Sequence, residues 1–199
     1  MVKRLLDIGS SAAGLVLLAP LLATIAVWIR LDSSGPIFFR QERVGRAGAT
    51  FRIHKFRTMQ GAPGVAGPAL TVGADPRITR AGAFLRRTKL DELPQLIDVL
   101  VGDMSLVGPR PEVPQYVAAY PADVWAKVLS VRPGITDLAS LQFRNESELL
   151  ARAADPEREY REVVLPAKLR LAVDYVDHAT LAGDLRLIGL TLRTLLGSR

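Results

Sequence analysis

The sequence contains no cysteine, which excludes disulfides, thiolate metal sites and cysteine nucleophiles and fits a reducing compartment. Histidine is nearly absent too: His54 and His178 are the only two. That is too few for a histidine-rich zinc site, and each reads as an ordinary structural residue. Internal repeats and low-complexity tails are missing. The 199 residues suffice for one good core, or for a modest core plus a membrane element. Acidic residues are in deficit, with 20 Asp and Glu against 26 Lys and Arg, a net charge of +6. A pI of 10.1 favours anionic partners: nucleic acid, anionic lipid head groups or phosphate-rich small substrates. The hydrophobic fraction is nevertheless 49% beside 23% charged residues, so the apolar residues must be concentrated somewhere.

They are concentrated at the N-terminus. No charged side chain occurs from Ile8 to Ile29, a run of about 22 residues or about 33 Å of helix, enough to cross a bilayer. The run is too long for the apolar core of a signal peptide and lacks a small-x-small exit before Trp28 and Arg30. Pro20 lies near its centre and predicts a kink. Basic residues flank both ends, Lys3 and Arg4 before it and Arg30, Arg40 and Arg43 after it. Such flanks favour the cytoplasmic side. A helix that turns back at Pro20 satisfies both flanks; a single kinked spanning helix is the alternative.

Beyond Leu31, Gly35 to Gln41 reads as a turn and a short strand, and Thr50 to Arg57 as a second strand. Val44 to Gly48 connects them as a hairpin, with Phe51 and Ile53 on one face and Arg52 and His54 on the other. Gly61 to Gly73 is a loop, and a lid is one use for such a loop. Helices are expected near Thr79, over Asp91 to Val101, over Val113 to Val131 with a break at Pro121, over Glu146 to Asp155 and over Glu157 to Val176. Leu181, Leu185, Ile188, Leu192 and Leu195 form one stripe of a final helix. That stripe fits either a packed core or a membrane interface.

The densest chemistry lies between Asp75 and Glu112. Arg77, Arg80, Arg86, Arg87 and Lys89 precede Asp91-Glu92, and Pro94 suits a first helical turn. Asp91 or a neighbour is then expected as N-cap, with both carboxylates at the positive end of a helix dipole. An ordinary capped helix has this pattern. The neighbouring arginines add another possibility: such a pair can hold a transferring phosphate, bind its metal and supply a nucleophile. Arg110 sits between Pro109 and Pro111, and Arg132 precedes Pro133-Gly134. An arginine on a stiff loop suits bidentate phosphate recognition, and a structural turn is the plainer reading of each.

Six motifs occur in order: Lys55-Phe56-Arg57-Thr58-Met59, Arg77-Ile78-Thr79-Arg80, Leu90 to Leu96, Gly102 to Glu112, Arg132-Pro133-Gly134-Ile135-Thr136 and Asp184-Leu185. Together they resemble the bacterial sugar transferase family, the monotopic phosphoglycosyl transferases that start glycoconjugate assembly. The resemblance covers almost the whole chain. It implies an α+β, mostly helical fold with a re-entrant membrane helix over residues 1–33. A cytosolic catalytic domain over residues 34–199 then carries a small hairpin and amphipathic interfacial helices.

The resemblance further implies a membrane enzyme that moves a sugar 1-phosphate from a UDP-sugar to polyprenyl phosphate at the inner leaflet of a bacterial cytoplasmic membrane. Asp91 would be the nucleophile and Glu92 the Mg²⁺ ligand. Arg86, Arg87, Arg110 and Arg132 are the candidate phosphate contacts, with Lys55, Arg57 and Glu112 completing the substrate site. The absence of further membrane helices suggests a minimal catalytic form, and a homodimer is compatible with the sequence. Two departures stand out: Ala19 precedes Pro20 where the family usually has serine, and Asp137 follows Thr136 where it commonly has glycine. A nucleic-acid-binding protein is disfavoured by the apolar anchor and the lack of a recognisable module. A non-catalytic membrane adaptor that kept the fold is disfavoured by the intact Asp91-Glu92.

Overall fold

A long uncharged run has to be covered by lipid or by protein, and here it forms one helix, α1 (Val2–Asp32), about 46 Å long at the helical rise. The computed structural model describes residues 2–61, 70–73 and 75–197. Among them α1 alone is long and apolar enough to cross a membrane. Helical structure continues through Pro20, where Thr24 Oγ1 donates to the Pro20 carbonyl at 2.8 Å. The body of α1 is bare: Val16 and Leu17 are 74% and 78% exposed.

The expected hairpin follows as β1 (Phe38–Val44) and β2 (Thr50–Phe56), antiparallel with Gln41 opposite Ile53 and Phe39 opposite Lys55. Much of the Gly61–Gly73 loop lies outside the described residues. Thr79 then caps α2 (Arg80–Thr88), its Oγ1 accepting from Gly82 N at 2.9 Å. A 3-10 turn (Leu90–Glu92) leads to α3 (Gln95–Val101). A short strand, β3 (Ser105–Val107), pairs in parallel with β4 (Gly134–Thr136). Between these strands the expected helix with a break appears as α4 (Pro114–Val117) and α5 (Ala122–Val128). The remainder is helical: α6 (Leu138–Gln142), α7 (Glu146–Ala151), α8 (Pro156–Glu159), a wide π-type turn (Tyr160–Val164), α9 (Leu165–His178) and α10 (Leu181–Leu196). The molecule is therefore mostly helical, with one small antiparallel hairpin.

Several compact apolar clusters replace a single large core. Val113, Tyr116, Leu150, Tyr160, Val164 and Leu165 form one. Ile25 and Ile29 of α1 join Phe56 and Leu85 in another, so the membrane helix is part of the catalytic body's core. Ile53, Val99 and Met104 tie the hairpin to α3.

Both ends of α1 are fastened to this body by polar contacts. At its start, Arg4 donates to the Val99 and Leu100 carbonyls at 2.6 and 3.1 Å, where the α3 carbonyls need partners. Lys3 donates to the Val107 carbonyl at 3.0 Å and pairs with Asp184. The buried Asp7 carboxylate accepts from Ser105 Oγ at 2.9 Å and Leu106 N at 3.1 Å. At the other end, Asp32 accepts from Ala81 N at 3.0 Å. Arg57 donates there to the Ile29 and Ser33 carbonyls at 3.3 and 2.7 Å.

The last helix keeps its predicted limits. Leu181, Leu185 and Leu192 of its stripe are exposed, while Asp184 is buried. Thr191 Oγ1 lies 2.7 Å from Thr136 Oγ1. Polar groups thus make specific contacts to the body, and much of the leucine stripe is left outside.

Candidate active site

Four segments converge on one cavity of about 1700 Å³, and local backbone chemistry brings each there. On β2, alternation sends Phe51, Ile53 and Lys55 to one face. The apolar pair packs toward α3, with Phe51 against the buried Ile53–Val99–Met104 group. Lys55 therefore points inward at the strand's end. Cross-strand register puts Arg43, opposite Phe51, on that same face.

The acidic pair is set by the residue before it. Lys89 adopts a left-handed conformation (φ 57°) at the end of α2, which is costly for a side chain with a Cβ. The chain then reverses into the Leu90–Glu92 turn, with Leu90 packed on the Ile25–Phe56–Leu85 cluster. Asp91 and Glu92 consequently face the cavity. The expected cap role fails here: the residue before α3 is Pro94, and no side chain caps that helix. The first-turn amides of Leu96 and Ile97 donate instead to the Leu93 and Pro94 carbonyls at 3.1 and 3.0 Å, so Asp91 is left free of that duty.

Glu92 is held from two sides. Lys55 Nζ donates to its Oε1 at 2.8 Å. Arg110 Nη1 donates to its Oε2 at 3.1 Å, and Arg110 Nη2 to Oε1. Burial pushes the Glu92 carboxyl up, but Arg110 and then Lys55 outweigh it and hold the group well below the usual range. Arg110 is correspondingly raised by Glu92. Burial lowers Lys55, with Glu92 opposing.

Asp91 differs sharply from its neighbour. It is 8% exposed, and its Oδ1 is buried with no hydrogen-bond partner among the described residues. Burial raises its pKa, Lys55 opposes this, and the Glu92 charge adds to the rise. One carboxylate is thus neutralised by cations, while the other belongs to a residue of the cavity wall and keeps one buried oxygen uncommitted.

The Arg110 loop approaches through two glycines. Gly108 and Gly134 face each other so closely that a Cβ on Gly108 would meet the Arg132 carbonyl oxygen at 2.5 Å, and one on Gly134 would strike the Gly108 amide. Only glycine lets the loop after β3 lie on β4.

Of the residues expected from the sequence, Lys55, Arg86, Asp91, Glu92, Arg110 and Glu112 line the cavity. Glu112 is engaged there, accepting from Tyr160 Oη at 2.5 Å with Arg43 Nη1 at 3.7 Å. Arg57 borders the cavity too, yet its guanidinium is taken up by Ser33 Oγ at 2.8 Å, the Ser33 and Pro36 carbonyls and the Ile29 carbonyl of α1. Arg87 lies elsewhere, exposed over the Phe84 ring at 5.8 Å. Arg132 is outside the cavity lining and donates to the Gly102 carbonyl at 2.7 Å. His54 is structural. Its Nε2 lies 2.5 Å from Arg40 Nη1, a donor, which leaves Nδ1–H to donate to Asp98 Oδ1 at 2.5 Å. Arg43 was missed from the sequence, although strand register points to it.

No group of three or more His, Asp or Glu residues able to hold a metal ion occurs among the described residues. An acidic side chain on the cavity wall, Glu92 beside Asp91, fits the sparser pattern of Mg²⁺, which uses one or two carboxylates and relies on substrate phosphates for the rest.

Comparison with known proteins identifies the family. A family model described as bacterial sugar transferase matches residues 1–198. The chain is 38% identical to the exopolysaccharide production protein PSS of Rhizobium leguminosarum bv. phaseoli, over 94% of this chain and 92% of that protein. It is 38% identical to a UDP-glucose:undecaprenyl-phosphate glucose-1-phosphate transferase of Caulobacter vibrioides, over 98% of this chain and 69% of the relative. The Escherichia coli protein of that description is 34% identical over 96% of this chain, which spans 39% of the relative's length. On the breadth of these matches, the chain belongs to the bacterial sugar transferase family.

Proposed function

We propose that the chain transfers a sugar 1-phosphate from a UDP-sugar to polyprenyl phosphate, releasing UMP, through a covalent phosphosugar–Asp91 intermediate. Family membership makes it an enzyme, a phosphoglycosyl transferase working at the membrane. The observation that carries the finer reading is the contrast between the two adjacent carboxylates. Glu92 is held by Lys55 and Arg110, while buried Asp91 keeps one oxygen unpartnered.

In the first step an oxygen of the Asp91 carboxylate attacks the phosphorus that bears the sugar. The bond to the bridging oxygen breaks, and UMP leaves with that electron pair. In the second step a phosphate oxygen of polyprenyl phosphate attacks the same phosphorus, expels the Asp91 carboxylate and yields a polyprenyl diphosphate sugar. Splitting the transfer lets one nucleophile serve a water-borne donor and a lipid acceptor in turn. Lys55 and Arg110 exchange Glu92 for donor phosphate oxygens as the diphosphate enters, and Arg86 adds positive charge on the same cavity wall. Glu92, relieved of its cations, would hold Mg²⁺, which supplies charge neutralisation to the diphosphate. In this reading Arg57 and Arg132 are anchors of the scaffold, and Arg87 belongs to the aromatic edge beside Trp28 and Phe84.

The two fastened ends of α1 support a re-entrant membrane arrangement. Lys3, Arg4 and Asp7 at one end and Asp32 at the other bind one and the same body. A helix tied in that way enters and leaves through one leaflet, so residues 1–33 act as a re-entrant anchor and residues 34–199 as the cytoplasmic catalytic domain. The exposed leucines of α10 lie in the lipid interface with Arg186 and Arg193 at head groups.

Three outcomes are expected. Purified protein in detergent, given Mg²⁺, undecaprenyl phosphate and a panel of UDP-sugars, releases UMP with a matching donor; Asp91→Asn lowers the rate at least about a thousandfold. Silence across the panel from folded wild-type protein would contradict the reading. The same substitution raises the thermal unfolding midpoint at neutral pH. Burial raises the Asp91 pKa, so its ionised form opposes folding above that value; the advantage of asparagine fades as acid protonates the aspartate. Finally, because the chain has no cysteine, single cysteines can report topology. Leu5→Cys and Ser34→Cys both react with a membrane-impermeant maleimide in inside-out vesicles and neither in intact spheroplasts. Labelling of the pair from opposite sides would show a spanning helix.

A further inference from the structure

Asp137 is a buried carboxylate beside the cavity that the proposed chemistry does not use. It is 4% exposed, and each oxygen has its own backbone amide. Oδ1 accepts from Ser140 N at 2.7 Å and caps α6. Oδ2 accepts from Arg110 N at 3.2 Å. Pro109 and Pro111 have no N–H, so the Arg110 amide is the single backbone donor of that tripeptide.

The neighbouring residues are held through their carbonyls. Pro109 O accepts from Gly134 N at 3.0 Å, and Pro111 O from Arg43 Nη1 at 3.1 Å. All three residues of the Pro-Arg-Pro loop are thereby fixed, and Asp137 supplies the contact at its centre. Beyond this pivot the Arg110 side chain reaches Glu92.

We infer that Asp137 is a positioning residue for the transfer reaction: it fixes the Arg110 backbone so that the guanidinium can pass from Glu92 to the donor diphosphate without the loop being ordered anew. The inference rests on the transferase reading above. An arginine presented from a fixed backbone loses less entropy on binding and meets the transition state in one geometry. The Asp137 charge also supports the raised pKa of Arg110, after the larger effect of Glu92.

The two roles of Asp137 can be separated chemically. Asparagine caps a helix as well as aspartate does, but it has one side-chain oxygen. In Asp137→Asn that oxygen can serve Ser140 N, which leaves an NH₂ group against the Arg110 amide, donor facing donor. Asp137→Ser also caps α6 and is too short to reach Arg110.

Both variants are expected to lower the thermal midpoint by no more than about 10 °C, the scale of one unsatisfied buried amide, to stay folded at assay temperature, and to lose about tenfold in kcat for UMP release. In an Arg110→Lys background the same substitutions should cost nothing further, because their effect passes through Arg110. Wild-type kcat in both variants, or losses that add to that of Arg110→Lys, would overturn the inference while the active wild type leaves the transferase reading standing. Wild-type protein silent with every donor would overturn that reading and this inference with it.

Discussion

Glu92 lies with its carboxylate against two cations drawn from distant parts of the chain: Lys55 at the end of the hairpin and Arg110 in the loop after β3. Neither cation could be buried alone without a large desolvation penalty, and neither could the carboxylate. The hairpin, the turn after α2 and the Pro-Arg-Pro loop therefore close on one point. Glu92 also absorbs the positive charge that would otherwise pair with Asp91. Asp91, the proposed nucleophile, is left buried, with one oxygen uncommitted and its ionised form disfavoured, a local instability that the surrounding packing sustains.

This arrangement depends on the membrane helix as well as on the cleft. Ile25 and Ile29 of α1 pack with Phe56, the residue after Lys55, and with Leu85 of the helix that leads into the turn carrying Asp91. Asp7 binds Ser105 and Leu106 of the strand that leads into Arg110. The helix that reaches the lipid thus braces both walls of the cavity. Catalytic geometry and membrane attachment are one structure, which suits a reaction whose acceptor carries its phosphate at the head-group level.

Much of this was legible in the sequence. The apolar run, the hairpin, the Pro121 break and the limits of α10 follow from hydrophobic periodicity and turn residues, signals that tertiary packing rarely reverses. The alternation that put Phe51 and Ile53 on one face extends to Lys55, and with strand pairing it could have revealed Arg43 opposite Phe51. Other features were not written locally. The left-handed Lys89 has no signature in a lysine, so the N-cap expected at Asp91 was displaced by a turn. Arg110 and Arg132 carry the same local signal, an arginine beside proline, and Arg57 is singled out only by its family motif. Only the fold decides that Arg110 enters the cavity while Arg57 and Arg132 satisfy backbone carbonyls. Asp137 was visible as a departure from the family pattern, but its partner lies 27 residues away in sequence.

The most direct test of the account is to withhold the acceptor. Wild-type protein would be incubated with its UDP-sugar and Mg²⁺ but no polyprenyl phosphate, then quenched and analysed by intact-mass and peptide mass spectrometry. The account predicts a mass increase equal to one phosphosugar on the peptide containing Asp91, discharged when undecaprenyl phosphate is added. An enzyme that turns over with both substrates but acquires no such adduct, or acquires it on another residue, would contradict it.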